Sequence, residues 1–344
     1  MKILKKLQSG DKVAILSPSF AAPAVFPAVY QLGLERLRTV FGLVPVEYPT
    51  TALRGASAEA RAADLVAAFT DPEIKAVIAT IGGDDQVTYI HKLLSGEVFA
   101  NNPKPFFGYS DNSHFANFLF LNGVPSYYGG SIFTQFAMQG EMDEYTVSYL
   151  KKALFESGEF EVVASDTYND QGLDWTNESL LQTKRPHWPN EGMIWDGEKN
   201  GEGQLWGGCL ESVDEMLRHG VPIPTLEQFE NIVLMLETSE EIPSADYVFR
   251  VLRALGARGI LARVNGVLIG RAKAWEFDKQ HTAEEKEVYR QSQQESVLRA
   301  VRAYNETVAV VQNMNFGHTD PQVPMPYGSM VRIDAAAKTI HATF

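Results

Sequence analysis

Phe106-Phe107-Gly108-Tyr109-Ser110-Asp111-Asn112 places a hydroxyl where an apolar run gives way to a helical pattern. Beyond the serine, Phe115, Phe118 and Leu119 recur at helical spacing until Asn122-Gly123, a helix stop. A serine on a strand-to-helix turn is lifted out of the sheet, beside unpaired N–H groups that can stabilise an oxyanion. Gly108 keeps the approach uncrowded. Position 112 is Asn, so this is not the G-x-S-x-G elbow of the α/β-hydrolases. A serine that merely caps a helix fits the same residues.

Three further constellations carry chemistry. Ile81-Gly82-Gly83-Asp84-Asp85-Gln86 ends a strand-like run, and paired glycines let backbone N–H groups approach an anion, whether an oxyanion or a phosphate. The segment also resembles the Gly-Gly-Asp-Gly element of diacylglycerol and NAD kinases, but Asp85 replaces the last glycine and would repel a phosphate. Asn315-Phe316-Gly317-His318-Thr319-Asp320-Pro321 is a polar turn whose histidine can reach across a cleft as a general base. His114 competes for that role, yet it follows Ser110 on the same helix and would point along the helix surface. Glu237, where a strand meets a loop, suits the carboxylate that fixes an imidazole's tautomer, with Glu240 and Glu241 as neighbouring alternatives.

These residues must be positioned by a scaffold, and the chain alternates accordingly. Val13 to Ser17, Leu43 to Tyr48, Ala76 to Ile81 and Pro105 to Tyr109 read as strands, with helices over Pro27 to Val40, Ala58 to Phe69 and Val87 to Leu94. This rhythm predicts a parallel sheet whose ligands gather at the strand carboxyl ends, where Gly82-Gly83 and Ser110 both fall. From about Tyr168 to Gly203 periodicity is lost, and Trp175, Trp188 and Trp195 sit among prolines, asparagines and glycines. Such a stretch reads as a binding loop offering stacking faces, or as a linker glued down by its rings. A second α/β region follows, with strands over Ile232 to Leu236, Gly266 to Gly270 and Thr307 to Met314. Helices fall over Ser244 to Leu255 and Ala283 to Tyr304, and a hairpin closes the chain around Ala335-Ala336-Ala337. The expected division is 1–167, a connecting region 168–203, and 204–344.

Composition narrows the partners. The 344 residues carry a net charge of -13, which disfavours nucleic acid and anionic membrane surfaces and leaves a small ligand. Cys209 is the single cysteine, so an internal disulfide and a cysteine-based zinc site are excluded. The start lacks an apolar signal core and no segment approaches a membrane span, so a cytoplasmic location is expected.

Gly108-Tyr109-Ser110-Asp111, Leu236-Glu237 before a tyrosine-containing helix, and Phe316-Gly317-His318 followed by Pro326-Tyr327-Gly328 resemble the signature blocks of the LD-carboxypeptidase family of serine peptidases. The resemblance runs from Gly10-Asp11-Lys12-Val13 almost to the C-terminus. Pro189-Asn190-Glu191-Gly192, Trp195 and Gly203-Gln204-Leu205-Trp206-Gly207-Gly208 are similar to the microcin C immunity branch. The resemblance implies an α/β fold, with a flavodoxin- or amidotransferase-like parallel-sheet domain joined to a smaller C-terminal α/β domain. It implies a catalytic triad of Ser110, Glu237 and His318, an oxyanion hole from the Gly83 and Asp111 amides, and substrate contacts from Asp84, Trp188, Trp195 and Cys209. It implies no metal or cofactor, and a homodimer. The expected reaction is cleavage of the amide in an aminoacyl-nucleotide conjugate, or alternatively of the terminal D-alanine of a murein L,D-tetrapeptide. Cys209 and Glu211 replace residues usual in murein-cleaving members. Rivals of another class are a nucleotide-dependent kinase and a ligand-binding protein with a vestigial triad.

Overall fold

Val13, Ala14, Ile15 and Leu16 form an unbroken apolar run, and in the computed structural model, which describes residues 1–344, they are buried along a single strand. Burial on both faces is what a parallel sheet covered by helices demands. The strands Lys12–Leu16, Val44–Glu47, Ile74–Ala79, Phe106–Gly108 and Ser126–Tyr128 pair in parallel in the spatial order second, first, third, fourth, fifth. That is the flavodoxin order, in which a ligand crevice opens at the carboxyl ends of the first and third strands, where the winding reverses. Ser17-Pro18-Ser19 and Ile81-Gly82-Gly83 leave the sheet there, and the Ser17 and Thr80 hydroxyls tie the two ends together at 2.8 Å.

The second sheet has eight strands. Gly201–Cys209, Ile232–Glu237, Gly266–Gly270 and Val310–Met314 are parallel neighbours at its centre, linked through the helices Leu210–His219, Ala245–Ala257 and Ala283–Arg302. Antiparallel strands flank them: the hairpin Met330–Asp334 with Thr339–Thr343 on one side, and Ile194–Asp196 on the other. The stretch from Tyr168 to Asn200 is sparsely structured, with a 3-10 turn over Glu178–Gln182 and a two-residue ladder joining Thr167–Tyr168 to Trp188–Pro189. Gly201–Cys209 carries glycine at 201, 203, 207 and 208, so its sequence has little of the branched or aromatic character that marks a strand.

The two halves exchange strands. Met325–Tyr327 pairs with Ser126–Tyr128 in the first sheet, and Glu159–Glu161 pairs with Thr339–Thr343 in the second. One continuous apolar cluster accordingly joins Val13 and Ile15 to Leu234 and Val310. The carboxyl ends of the two sheets meet where the Tyr128 hydroxyl, at the end of one strand, reaches Glu237, at the end of another. No helix is long and apolar enough to cross a membrane.

Candidate active site

Ser110 begins a 3-10 turn, Ser110–Asn112, that runs into the helix Ser113–Leu121, so strand, turn and helix succeed one another within sixteen residues, 106 to 121. Its φ is 63°, in the left-handed region that a residue with a Cβ enters at a cost of about 1–3 kcal/mol. Surrounding contacts hold it there. The Ser110 N–H donates to the Tyr128 hydroxyl at 3.3 Å, and the Ser110 carbonyl accepts from Ser113 Oγ at 2.7 Å and Ser212 Oγ at 3.4 Å. Gly82 faces this turn. A Cβ there would lie 2.9 Å from Ser110 Cβ, 3.1 Å from Ser110 Oγ and 3.3 Å from the Asp111 amide nitrogen. Glycine at 82 thus keeps open the space between the hydroxyl and an amide that can receive an oxyanion.

Glu237 ends its strand fully buried, and both of its oxygens are occupied. Oε2 accepts from His318 Nδ1 at 2.7 Å and from the His318 backbone N–H at 3.2 Å, while Oε1 accepts from the Tyr128 hydroxyl at 2.5 Å. Gly317 makes this approach possible: its φ is 95°, and a Cβ would sit 2.4 Å from Glu237 Oε2. The Tyr128 hydroxyl therefore joins the serine turn to the carboxylate, accepting from the Ser110 N–H and donating to Glu237 Oε1. Burial, followed by the neighbouring Glu237 charge, raises the Tyr128 phenol well above its usual range and keeps that donor protonated. Tyr109 lays its ring against His318 at 4.9 Å between centroids.

His318 Nε2, the nitrogen that a serine would use, lies 3.0 Å from Glu240 Oε2, whose side chain is 61% exposed. The imidazole is thus held between two carboxylates. Burial works against its charged form, but Glu237 and then Glu240 outweigh this and push its pKa up to about 10. Such surroundings favour the charged ring at neutral pH, and Glu240 covers the nitrogen that faces away from Glu237. Glu240→Gln should accordingly move the acidic limb of the pH profile of kcat/KM downward by about one unit or more, because that profile reports the free enzyme. An unmoved limb would mean that Glu240 does not hold the ring in its charged form.

The remaining sequence-derived residues distribute unevenly. Gly83 has φ 155° and backs onto Ser19, where a Cβ would meet Ser19 Oγ at 2.0 Å. Asp84 is exposed, and Asp85 is clamped by Arg61 through two bonds of 2.6 and 2.7 Å. Cys209 is buried in register with Glu237, and its thiol donates to Glu211 Oε2 at 3.3 Å. Trp188 packs on Tyr168 at 6.0 Å with the Lys286 ammonium 5.5 Å from its ring centre. The neighbouring Asn169 exchanges backbone hydrogen bonds with Asp320, two residues past His318, which brings the Tyr168–Trp188 ladder to the histidine loop. Trp195 lies instead on the edge strand paired with Val311. Trp175 packs on Phe26 and Phe133 as part of the core boundary. His114 turns away from Ser110 toward Glu215 and Asp111.

Two participants escaped the sequence reading. Tyr128 sits in Ser126-Tyr127-Tyr128-Gly129, a segment with no chemical signature, and only strand pairing aims its hydroxyl at Glu237. Arg185 pairs with Asp320 at 2.6 Å, while its Nε and Nη2 are buried without a hydrogen-bond partner. Its loop carries no periodic pattern from which that position could be read.

A buried acid–histidine pair beside a serine on a strained strand-to-helix turn defines a class, the two-domain α/β serine hydrolases. Residues 13–129 match the model of the LD-carboxypeptidase N-terminal domain, and residues 202–333 that of the LD-carboxypeptidase C-terminal domain. The chain belongs to the LD-carboxypeptidase family of serine peptidases. YocD of Bacillus subtilis, which bears a carboxypeptidase name, is 28% identical over 344 residues, covering 97% of this chain and 96% of that one. The microcin C7 self-immunity protein MccF of Escherichia coli is 23% identical over 344 residues, covering 98% and 94%. An MccF-like protein from Streptococcus pneumoniae, solved in complex with AMP, superposes with a TM-score of 0.84 at 27% identity, covering 97% of this chain and 98% of that one.

Proposed function

We propose that the protein is a serine amidase that cleaves the amide joining an aminoacyl group to a nucleotide-like moiety, with Ser110 as nucleophile, His318 as general base and Glu237 as the orienting carboxylate. The observation that carries the reading is the buried Glu237, which binds His318 Nδ1 at 2.7 Å and reaches the serine turn through Tyr128. In the reaction, His318 Nε2 takes the Ser110 proton as Oγ attacks the carbonyl. The amides of Gly83 and Asp111 receive the oxyanion, and His318 then protonates the leaving amine, which departs to give the acyl-serine. A water, deprotonated by the same histidine, releases the acid and restores the serine. No step calls on a metal.

The nucleotide reading draws on two observations. The similar pneumococcal protein was solved with AMP, and structures of MccF hold glutamyl sulfamoyl guanosine and aspartyl sulfamoyl adenosine. In this chain Trp188 lies beside the histidine loop, where a ring can stack on a base. Trp188→Ala should raise KM for an aminoacyl sulfamoyl-adenosine roughly tenfold to a hundredfold, the worth of one base stack, and leave a murein tetrapeptide unaffected. Equal losses on both substrates would reduce Trp188 to a loop-packing residue.

A second reading, removal of a terminal amino acid from a murein L,D-tetrapeptide, is favoured by Arg185. Its Nε and Nη2 make no hydrogen bond although Asp320 and Asp143 flank the guanidinium, and such donors suit a substrate carboxylate. The test is hydrolysis of the two substrates side by side. Cleavage of the nucleotide conjugate alone supports the amidase reading. Cleavage of the tetrapeptide alone replaces it with the carboxypeptidase one, and cleavage of neither removes both.

A further inference from the structure

Asp111 and His114 stand one helical turn apart, so their side chains share a face of the segment that follows Ser110. That face meets the helix Leu210–His219 of the second half of the chain, from which Glu215 projects toward them. His114 Nε2 lies 3.1 Å from Glu215 Oε2 and 3.6 Å from Asp111 Oδ1, and the three ligand atoms all fall within 4.8 Å of one another. Asp111 is 2% exposed and His114 is fully buried, whereas the Glu215 side chain is 31% exposed and leaves a route to solvent.

The polar bookkeeping of this cluster is incomplete. Asp111 Oδ2 accepts from the Gln86 amide at 3.2 Å, but Oδ1 is buried with no hydrogen-bond partner. A proton on His114 Nε2 serves Glu215, the nearer acceptor, and leaves Asp111 Oδ1 bare. A buried carboxylate oxygen without a partner is costly, and native proteins rarely tolerate one. His114 Nδ1 likewise has no partner, so the hydrogen bonding of this ring runs through Nε2 alone.

We propose that Asp111 Oδ1, His114 Nε2 and Glu215 Oε2 form a binding site for a divalent first-row cation of the zinc type, which clamps the nucleophile helix to the second half of the molecule. Donors about 2.1 Å from one tetrahedral ion lie about 3.4 Å apart, and the two distances at His114 straddle that value. One imidazole with two carboxylates is a donor set suited to Zn²⁺, and a water can complete it through the Glu215 side. The ion supplies the missing partner of Asp111 Oδ1 and offsets two carboxylate charges.

Its role is positional. The Asp111 amide is the oxyanion donor of the proposed reaction, and the same helix is already tied to the second half by Ser113 Oγ, which accepts from the Cys209 amide at 3.1 Å, and by Asn117 Oδ1, which accepts from Trp206 Nε1 at 3.0 Å. His114 lies between these two ties, so a cation there completes a row of links along one helix face. The site takes no part in the proton transfers, and its occupancy can be read without turnover.

The test uses the full-length protein stripped with a chelator and titrated with Co²⁺ and Zn²⁺, comparing wild type with Glu215→Gln, a change at the most exposed of the three ligands. The expected result is one equivalent bound by wild type, visible d–d bands from Co²⁺ that Zn²⁺ bleaches, and a rise in melting temperature on loading. Glu215→Gln should weaken binding at least about a hundredfold, since even outer-shell partners are worth roughly 10- to 100-fold. Should Glu215→Gln not fold, His114→Asn titrated in the same way gives the same comparison. Absence of stoichiometric binding by wild type, or binding that the variant leaves unchanged, would overturn the proposal and leave His114 as a hydrogen-bonded link between the two helices.

Discussion

Ser110→Ala should lower turnover by about 10⁴-fold or more on whichever substrate the enzyme cleaves, while the folded protein persists. The side chain contributes little to packing, since the ties that hold the turn run through the Ser110 N–H and carbonyl, which alanine retains. Stability should change by less than about 0.5 kcal/mol, as for substitutions outside the core. The left-handed backbone at φ 63° adds a sharper comparison. Ser110→Gly is equally inactive on this account, yet it removes the Cβ penalty and should raise stability by roughly 1 kcal/mol over Ser110→Ala. Thermal unfolding of the three proteins checks both statements. Activity retained in either variant would eliminate Ser110 as nucleophile, and equal stability of the two variants would show that the turn is not strained.

Glu237→Gln carries the second largest expected effect, a fall in kcat of about 10²- to 10⁴-fold with substrate binding little changed. The carboxylate accepts from three donors at once: His318 Nδ1, the His318 amide and the Tyr128 hydroxyl. A carboxamide offers one acceptor oxygen and an NH₂ group in place of the other, and it lacks the charge that stabilises an imidazolium. The same substitution should leave a mark on stability. The folded pKa of His318 lies near 10 against 6.5 for a free ring, so its protonation stabilises the fold fully below about pH 6.5 and ceases to do so as pH rises through 10. Wild type should therefore lose stability across that window. Glu237→Gln should flatten this dependence, because Glu237 is the larger of the two charges raising the pKa. Denaturant unfolding at a series of pH values, with NMR titration of the His318 ring, measures both. An unchanged His318 pKa would show that Glu237 is not the charge that raises it and would remove its orienting role.

How much was legible in advance differs between the scaffold and the site. Continuous apolar runs such as Val13 to Leu16 and Ile232 to Leu236 could only be buried strands, and amphipathic spacing located the helices Pro27–Thr39 and Ala245–Ala257 within two residues. Gly201–Cys209 was harder to see because close approach to neighbouring backbones excludes side chains along it. A Cβ at Gly207 would lie 1.8 Å from the Met235 carbonyl oxygen, so packing stripped the strand of the residues that would have revealed it. The exchange of Met325–Tyr327 into the first sheet was equally hidden, since three apolar residues do not specify which of two sheet edges they join.

The sequence by itself determined the chemistry available to this protein. It set a serine at the end of one strand, a glutamate at the end of another and a histidine beside a glycine, on a scaffold whose alternation demands that strand ends face a cleft. Residue type and local period are enough for that, because both act over a few neighbouring positions. Only the tertiary structure decided how these groups are wired: that Tyr128 joins the serine turn to Glu237, that Glu240 occupies Nε2 of His318, and that Asp111 and His114 meet Glu215 across the boundary between the halves. Apart from the link between Tyr128 and Ser110, those contacts join positions about 80 to 110 residues apart. Their geometry follows from strand register and helix packing, where a shift of an ångström separates a hydrogen bond from no bond at all.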